Sequence, residues 1–265
     1  MKNTGVWLIV IVLAVAAGGY YYWRQSAQPE PAPAPPPPVA EPAPAEPKAG
    51  PEHPLAEAEP VKLPALDQSD ATLVVALSGV LGQKQVAEFF HLNGMVRRFV
   101  ACIDNLPREK VAQKLMPVKP TAGSFATAGE EGSAVISPDN ARRYSPALKL
   151  AETADPKKLV AVYVHFYPLF QQAYAELGYP NAYFNDRLVQ VIDHLLAAPE
   201  VRAPVRVVRP KVMYQFADPE LEALSAGHKI MVRIGSENAA RLKARLREIR
   251  SELVARSPKS PERPG

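Results

Sequence analysis

Cysteine is almost missing from this sequence: Cys102 is the only one in 265 residues. A single cysteine forms no intrachain disulfide. Its place in the apolar run Phe-Val-Ala-Cys-Ile-Asp predicts a buried, inert thiol rather than a nucleophile. Histidine is sparse too. His53, His91, His165, His194 and His228 show no H-E-x-x-H or other paired-ligand spacing, so no metal site is expected. There is no G-x-S-x-G, no P-loop and no dinucleotide fingerprint, so no cofactor is expected and no catalytic residue is assigned.

Long apolar runs are equally scarce, and the one present lies at the start. Val6–Trp23 is uncharged, and about 27 Å long as a helix, just enough for a hydrocarbon core. Lys2 precedes it, and Tyr20, Tyr21, Tyr22 and Trp23 form an aromatic belt at its far end. The small residues Ala14–Gly19 run into bulky aromatics rather than into a cleavage site. Residues 1–24 are therefore expected to be an uncleaved signal anchor in a bacterial inner membrane. The N-terminus would be cytoplasmic and the remainder periplasmic.

Proline is abundant but confined. Of 29 prolines, 13 fall between Pro29 and Pro60. Residues 25–62 read as a disordered Pro/Ala/Glu linker, roughly 100 Å long if it is mostly polyproline II. A role as ligand for proline-binding domains is not expected outside the cytoplasm. Charge is mild, +4 overall. Only Lys2, Arg24, Lys48 and Lys62 precede Ala65, against six glutamates, so the excess of base lies in the folded part and tail. An exported location makes nucleic acid an improbable partner for the basic C-terminal helix.

Residues 63–254 are expected to form one mainly α domain with minor β elements, followed by a disordered tail over 255–265. Its centre is Asp155–Leu196. Asp155 and Pro156 open a helix, and Leu159, Tyr163, Phe166, Phe170, Ala173, Tyr174 and Leu177 repeat at helical spacing. Pro168 predicts one kinked helix rather than two. Gly178 and Pro180 close it. Asn185 is expected to cap a second helix carrying Leu188, Val191, Ile192, Leu195 and Leu196, and the two helices should close as a hairpin. Earlier helices run from Ser69 or Asp70 to Gly82, and around Val96, Phe99, Val100 and Ile103. Residues 109–154 read as an irregular insertion with a small hairpin at Gly129–Gly132, a candidate rim of a site. Val205–Val208 and Val212–Phe216 read as edge strands or connectors. One helix is expected from Asp218 to Gly235. A last helix, capped by Ser236, should turn Leu242, Leu246, Ile249 and Leu253 inward and Arg241, Lys243, Arg245, Arg247 and Arg250 outward.

Six blocks carry a resemblance: Asp104–Arg108, Asn140–Tyr144, Tyr167–Gln171, Leu177–Pro180, Phe184–Leu188 and Ile192–Leu196. Together they resemble a proteobacterial membrane-anchored family known only as a domain of unknown function. The resemblance covers Leu63–Val254. It implies a single N-terminal span and a proline-rich linker, and it carries no activity, cofactor or catalytic residue.

The candidate ligand-binding residues are arginines beside aromatics and their neighbours: Arg97, Arg98, Arg142, Arg143, Tyr144, Asn185 and Arg187. Guanidinium groups bind carboxylates bidentately and aromatic faces stack on sugars. Structural ion pairs are the plain alternative. The expected function is a non-enzymatic envelope module that binds wall polymer or another envelope protein. A wall glycan or peptide hydrolase is the alternative, requiring two of Asp104, Asp186 and Asp193 to stand close together.

Overall fold

A computed structural model describes residues 50–55, 62–130 and 132–256. The expected anchor Val6–Trp23, most of the linker and nearly all of the tail lie outside the described residues. No helix among the described residues is long and apolar enough to cross a membrane.

The chain runs through α1 (Asp70–Leu81), α2 (Gln83–Phe89), α3 (Met95–Asn105), β1 (Thr127–Ala128), β2 (Val135–Ile136), α4 (Pro138–Arg142) and α5 (Ser145–Thr153). It continues with α6 (Pro156–Glu176), α7 (Phe184–Leu196), β3 (Val207–Val208), β4 (Gln215–Phe216), α8 (Pro219–Glu222), α9 (Ala226–Arg233) and α10 (Ser236–Ala255). The domain is mainly helical, with two small antiparallel hairpins, β1–β2 and β3–β4.

Local chemistry explains most boundaries. Asp155 accepts from the Lys157 N–H at 2.9 Å with Pro156 in the first turn, and α6 runs through Pro168 as one helix. Gly178, at φ 114°, lets the chain leave α6 for the corner that leads into α7. Asp70 does not cap its own helix. Its carboxylate accepts from the Gly94 and Met95 N–H groups at 2.7 and 2.9 Å, so it caps α3 from α1.

The core sits where α3 and α10 pack on the α6–α7 pair. Phe184 is completely buried. Phe170 stacks on it at 6.0 Å, and Phe99 meets both rings edge-on. Such pairs add about 0.5–1.5 kcal/mol each beyond area burial. A second cluster joins Val160, Leu188, Val189 and Ile192 to Leu253 of α10.

Four expectations change. Asn185 does not cap α7: Tyr183 holds that position, and Asn185 is buried at 1 % exposure because its amide has partners elsewhere. The helix expected over 218–235 divides into α8 and α9, because the Ser225 hydroxyl accepts from the His228 N–H at 3.1 Å and starts a new helix. Gly235 rather than Ser236 occupies the position before α10. The supposedly outward face of α10 is partly inward. Lys243 is buried and donates to the Ala198 carbonyl at 2.7 Å, while Arg241 forms a two-pronged pair with Glu152.

Candidate ligand-binding site

The insertion is held by polar side chains rather than by a core of its own. Asn140, fully buried, accepts from the Ala126 N–H at 3.2 Å and donates to the Arg233 carbonyl at 3.0 Å. Arg143 donates to Asn140 Oδ1, to the Ala122 and Gly123 carbonyls and to Thr121. Its guanidinium also lies 5.6 Å from the Tyr144 ring. Arg142 is exposed and pairs with Asp139, one turn earlier. Arg143 is thus a clasp for residues 121–123, and Arg142 is a surface ion pair.

Arg97 and Arg98, on α3, stand elsewhere. Arg97 lies between Asp67 and Glu176, 3.0 Å from the latter, and the Asp67 carboxylate raises its pKa. Arg98 donates to the Asn93 carbonyl at 2.9 Å and reaches the Lys114 and Met116 carbonyls. Both line an open cleft of about 560 Å³ between α3, α6 and the turn at Gln113–Leu115. Lys114 and Glu176 lie at its rim, with Ala173 and Leu177 among its apolar walls.

Arg187 belongs to a third place. It donates to the Asp104 carbonyl at 2.9 Å and sits 3.1 Å from the Asp104 carboxylate. Asp104, 3 % exposed, also receives Arg108 at 2.6 Å, and Arg108 donates to the Tyr179 hydroxyl at 2.9 Å. Tyr179 stacks on Tyr174 with centroids 4.6 Å apart. Asp104 therefore ties α3 to the α6–α7 corner. No two of the three arginine sources share a partner. The acids considered for hydrolysis are likewise occupied: Asp193 holds Arg250, and Asp186 receives two backbone N–H groups described next.

Residues 50–55, from the expected linker, lie against the start of α7. The Asp186 carboxylate accepts from the Glu52 N–H at 3.0 Å and the His53 N–H at 2.8 Å. The Asn185 amide donates to the His53 carbonyl at 2.7 Å. Helix α6 sets this corner in place. The Tyr163 hydroxyl donates to Asn185 Oδ1 at 3.2 Å, which points the amide nitrogen towards the His53 carbonyl. Gln171 accepts from the Tyr167 hydroxyl and the Phe184 N–H and donates to the Ala182 carbonyl. Burial raises the Tyr163 phenol well above its ordinary pKa and pushes Tyr167 up to about 12, so both stay neutral. Asn185 was a candidate on sequence. Nothing in the spacing of Asp186 signals backbone recognition.

One further constellation is absent from the sequence reading. His194 and His228 stack in parallel, 4.0 Å apart, and His194 Nε2 lies 2.8 Å from Ser225 Oγ. His228 Nε2 donates to the His194 carbonyl at 2.7 Å. Burial, His228 and Arg187 lower the His194 pKa. Ser225 Oγ is already engaged as the α9 cap, which makes this a helix junction. Cys102 is buried against Met116, and burial pushes its thiol up to about 11, far from a reactive thiolate.

The model of a family described as "Protein of unknown function (DUF3014)" matches residues 95–250, from the start of α3 into α10. The chain belongs to that family. Five of the six sequence blocks fall into two structural jobs within the DUF3014 domain. Asp104–Arg108, Leu177–Pro180, Tyr167–Gln171 and Phe184–Leu188 meet around the α6–α7 corner, and Asn140–Tyr144 fastens the insertion. No curated protein and no solved structure matches the chain.

Proposed function

We propose that this DUF3014 protein is a membrane-tethered binding module of the bacterial cell envelope rather than an enzyme. Val6–Trp23 anchors it in the inner membrane with the N-terminus cytoplasmic, and the proline-rich tract carries the periplasmic domain towards the cell wall. Its ligand is an acidic wall polymer. The observation that supports this reading is the cleft between α3 and α6, where Arg97, Arg98 and Lys114 outnumber the one lining carboxylate, Glu176, beside apolar walls. Cationic groups beside an apolar surface suit a carboxylate- or phosphate-bearing polymer with a sugar face. The hydrolase alternative lacks comparable support, because Asp104, Asp186 and Asp193 each already have cationic or N–H partners.

Co-sedimentation of the detergent-purified full chain with isolated wall material tests the proposal. Retention should fall as salt rises, because the contacts are ionic. The pair Arg97→Glu and Lys114→Glu should reduce retention roughly tenfold, the loss of about 1.4 kcal/mol expected for reversing rim charges. Retention that ignores salt and both substitutions would refute the cleft as the site. A reporter active only in the periplasm, fused after Val254, should be active. An inactive fusion would refute the topology.

A further inference from the structure

We infer that the Asn185–Asp186 corner is a receptor for the backbone of an extended, proline-flanked peptide, occupied in this chain by its own segment Pro51–Pro54. This does not rest on the acidic-polymer reading, since the corner shares no residue with the α3–α6 cleft.

The fit begins with the occupant. In Pro51-Glu52-His53-Pro54 the two prolines have no N–H, so Glu52 and His53 present the only two backbone donors of the tetrapeptide. Asp186 takes both, one on each carboxylate oxygen. Asn185 completes the reading by donating to the His53 carbonyl. Proline after His53 disfavours helical backbone there and holds the residue extended, which keeps its carbonyl available. Glu52 projects into solvent, whereas Pro51, His53, Pro54 and Leu55 are half-buried. The recognised groups are therefore main-chain N–H, N–H and C=O.

The receptor is rigid. Asn185 is 1 % exposed, its orientation is fixed by Tyr163, and the loop leading into it is pinned by Gln171. Both anchoring residues lie on α6, the longest helix described. Pre-organisation of this kind lowers the ordering cost of binding. Hydrogen bonds to an ionised acceptor are the stronger kind. Two such bonds and one neutral amide–carbonyl bond hold a short peptide only weakly in trans, but a tethered segment has an effective concentration on the order of mM. The corner is therefore filled in cis at rest and opens to a competing extended peptide when Pro51–Pro54 is withdrawn.

Hydrogen exchange on the full chain in detergent is the first measurement. The Glu52 and His53 amides should be protected, and Asp186→Ala should speed their exchange roughly tenfold or more while α6 and α7 keep their protection. Next, Glu52→Pro with His53→Pro removes both donors and frees the corner. A labelled peptide, acetyl-Gly-Pro-Glu-His-Pro-Leu-Ala-amide, at mM concentration should bind that variant, bind the parent chain at least tenfold less well, and lose binding when Asp186→Ala is added. Unprotected Glu52 and His53 amides in the parent chain would overturn the inference. So would a freed corner that takes no peptide while α6 and α7 remain protected, or peptide binding that survives Asp186→Ala.

Discussion

The α6–α7 pair and the stretch from Glu109 to Ala154 solve the same problem with different materials. Around α6 and α7, order comes from buried rings and aliphatics: Phe184, Phe166, Val160 and Val191 are almost wholly inaccessible. Between Glu109 and Ala154 the regular elements are short, and order comes from side chains that seize main-chain groups. Arg98 reaches carbonyls of the 114–116 turn, Arg143 those of 122 and 123, and Asn140 joins Ala126 to Arg233. Even the Ala151 and Ala154 carbonyls at the end of α5 are gripped by Arg245. Basic residues in this protein are to a large extent structural clasps, and that separates scaffold arginines from those with a free face.

The comparison can be broken most forcefully in the apolar half. Phe184→Ala removes a fully buried ring that contacts Phe99, Tyr163, Phe170 and Tyr174, and should cost about 3–5 kcal/mol by chemical denaturation. A loss under about 1 kcal/mol would show that the aromatic cluster is not what holds the two helices together.

That half was also the half legible in sequence. Asp155, the helical repeat from Leu159 to Tyr174, Pro168 within one helix and Gly178 all act within a few residues of themselves. Local spacing therefore carried the information, and the hairpin bracketed by Gly129 and Gly132 was readable for the same reason. The clasps were not. A guanidinium bound to a carbonyl twenty residues away has no sequence signature, because the acceptor is main chain and every residue has one. Arg97, Arg98, Arg142, Arg143 and Arg187 thus looked alike in sequence, yet they fall at three separate places with different partners. Asn185 illustrates tertiary context overriding local preference: its type suits a helix cap, but Tyr163 and the His53 carbonyl claim its amide. The docking of Pro51–Pro54 was hidden by composition, since a proline-rich stretch offers little to bury and its two amides are invisible to hydropathy.

Clasp and surface pair stand side by side in the dipeptide Arg142–Arg143. Arg143→Ala removes the donors that serve Ala122, Gly123, Thr121 and Asn140, and should cost about 1–3 kcal/mol. Arg142→Ala breaks only an exposed pair with Asp139 and should cost less than about 0.5 kcal/mol. Equal losses for the two variants would mean that the clasp is not what orders residues 121–123. Thermal unfolding of the two single variants separates these outcomes.

The smallest effect concerns the junction of α7 and α9, where His194 stacks on His228. Burial, His228 and Arg187 all lower the His194 pKa, so the folded chain holds this imidazole neutral further down the pH scale than the unfolded chain does. Below the ordinary histidine value of about 6.5, the unfolded state then binds more protons than the folded one. Stability must rise with pH across that window and fall as the solution is acidified through it. Once both states are protonated, the contribution stops changing. Substituting His194→Gln keeps a polar group near Ser225 and removes the titration. On acidification below about pH 6.5, the denaturation midpoint of the parent chain should therefore drop by more than that of the variant. Parallel pH profiles would show that His194 does not couple protonation to folding. The stack would then be a packing contact like those among the rings around Phe184.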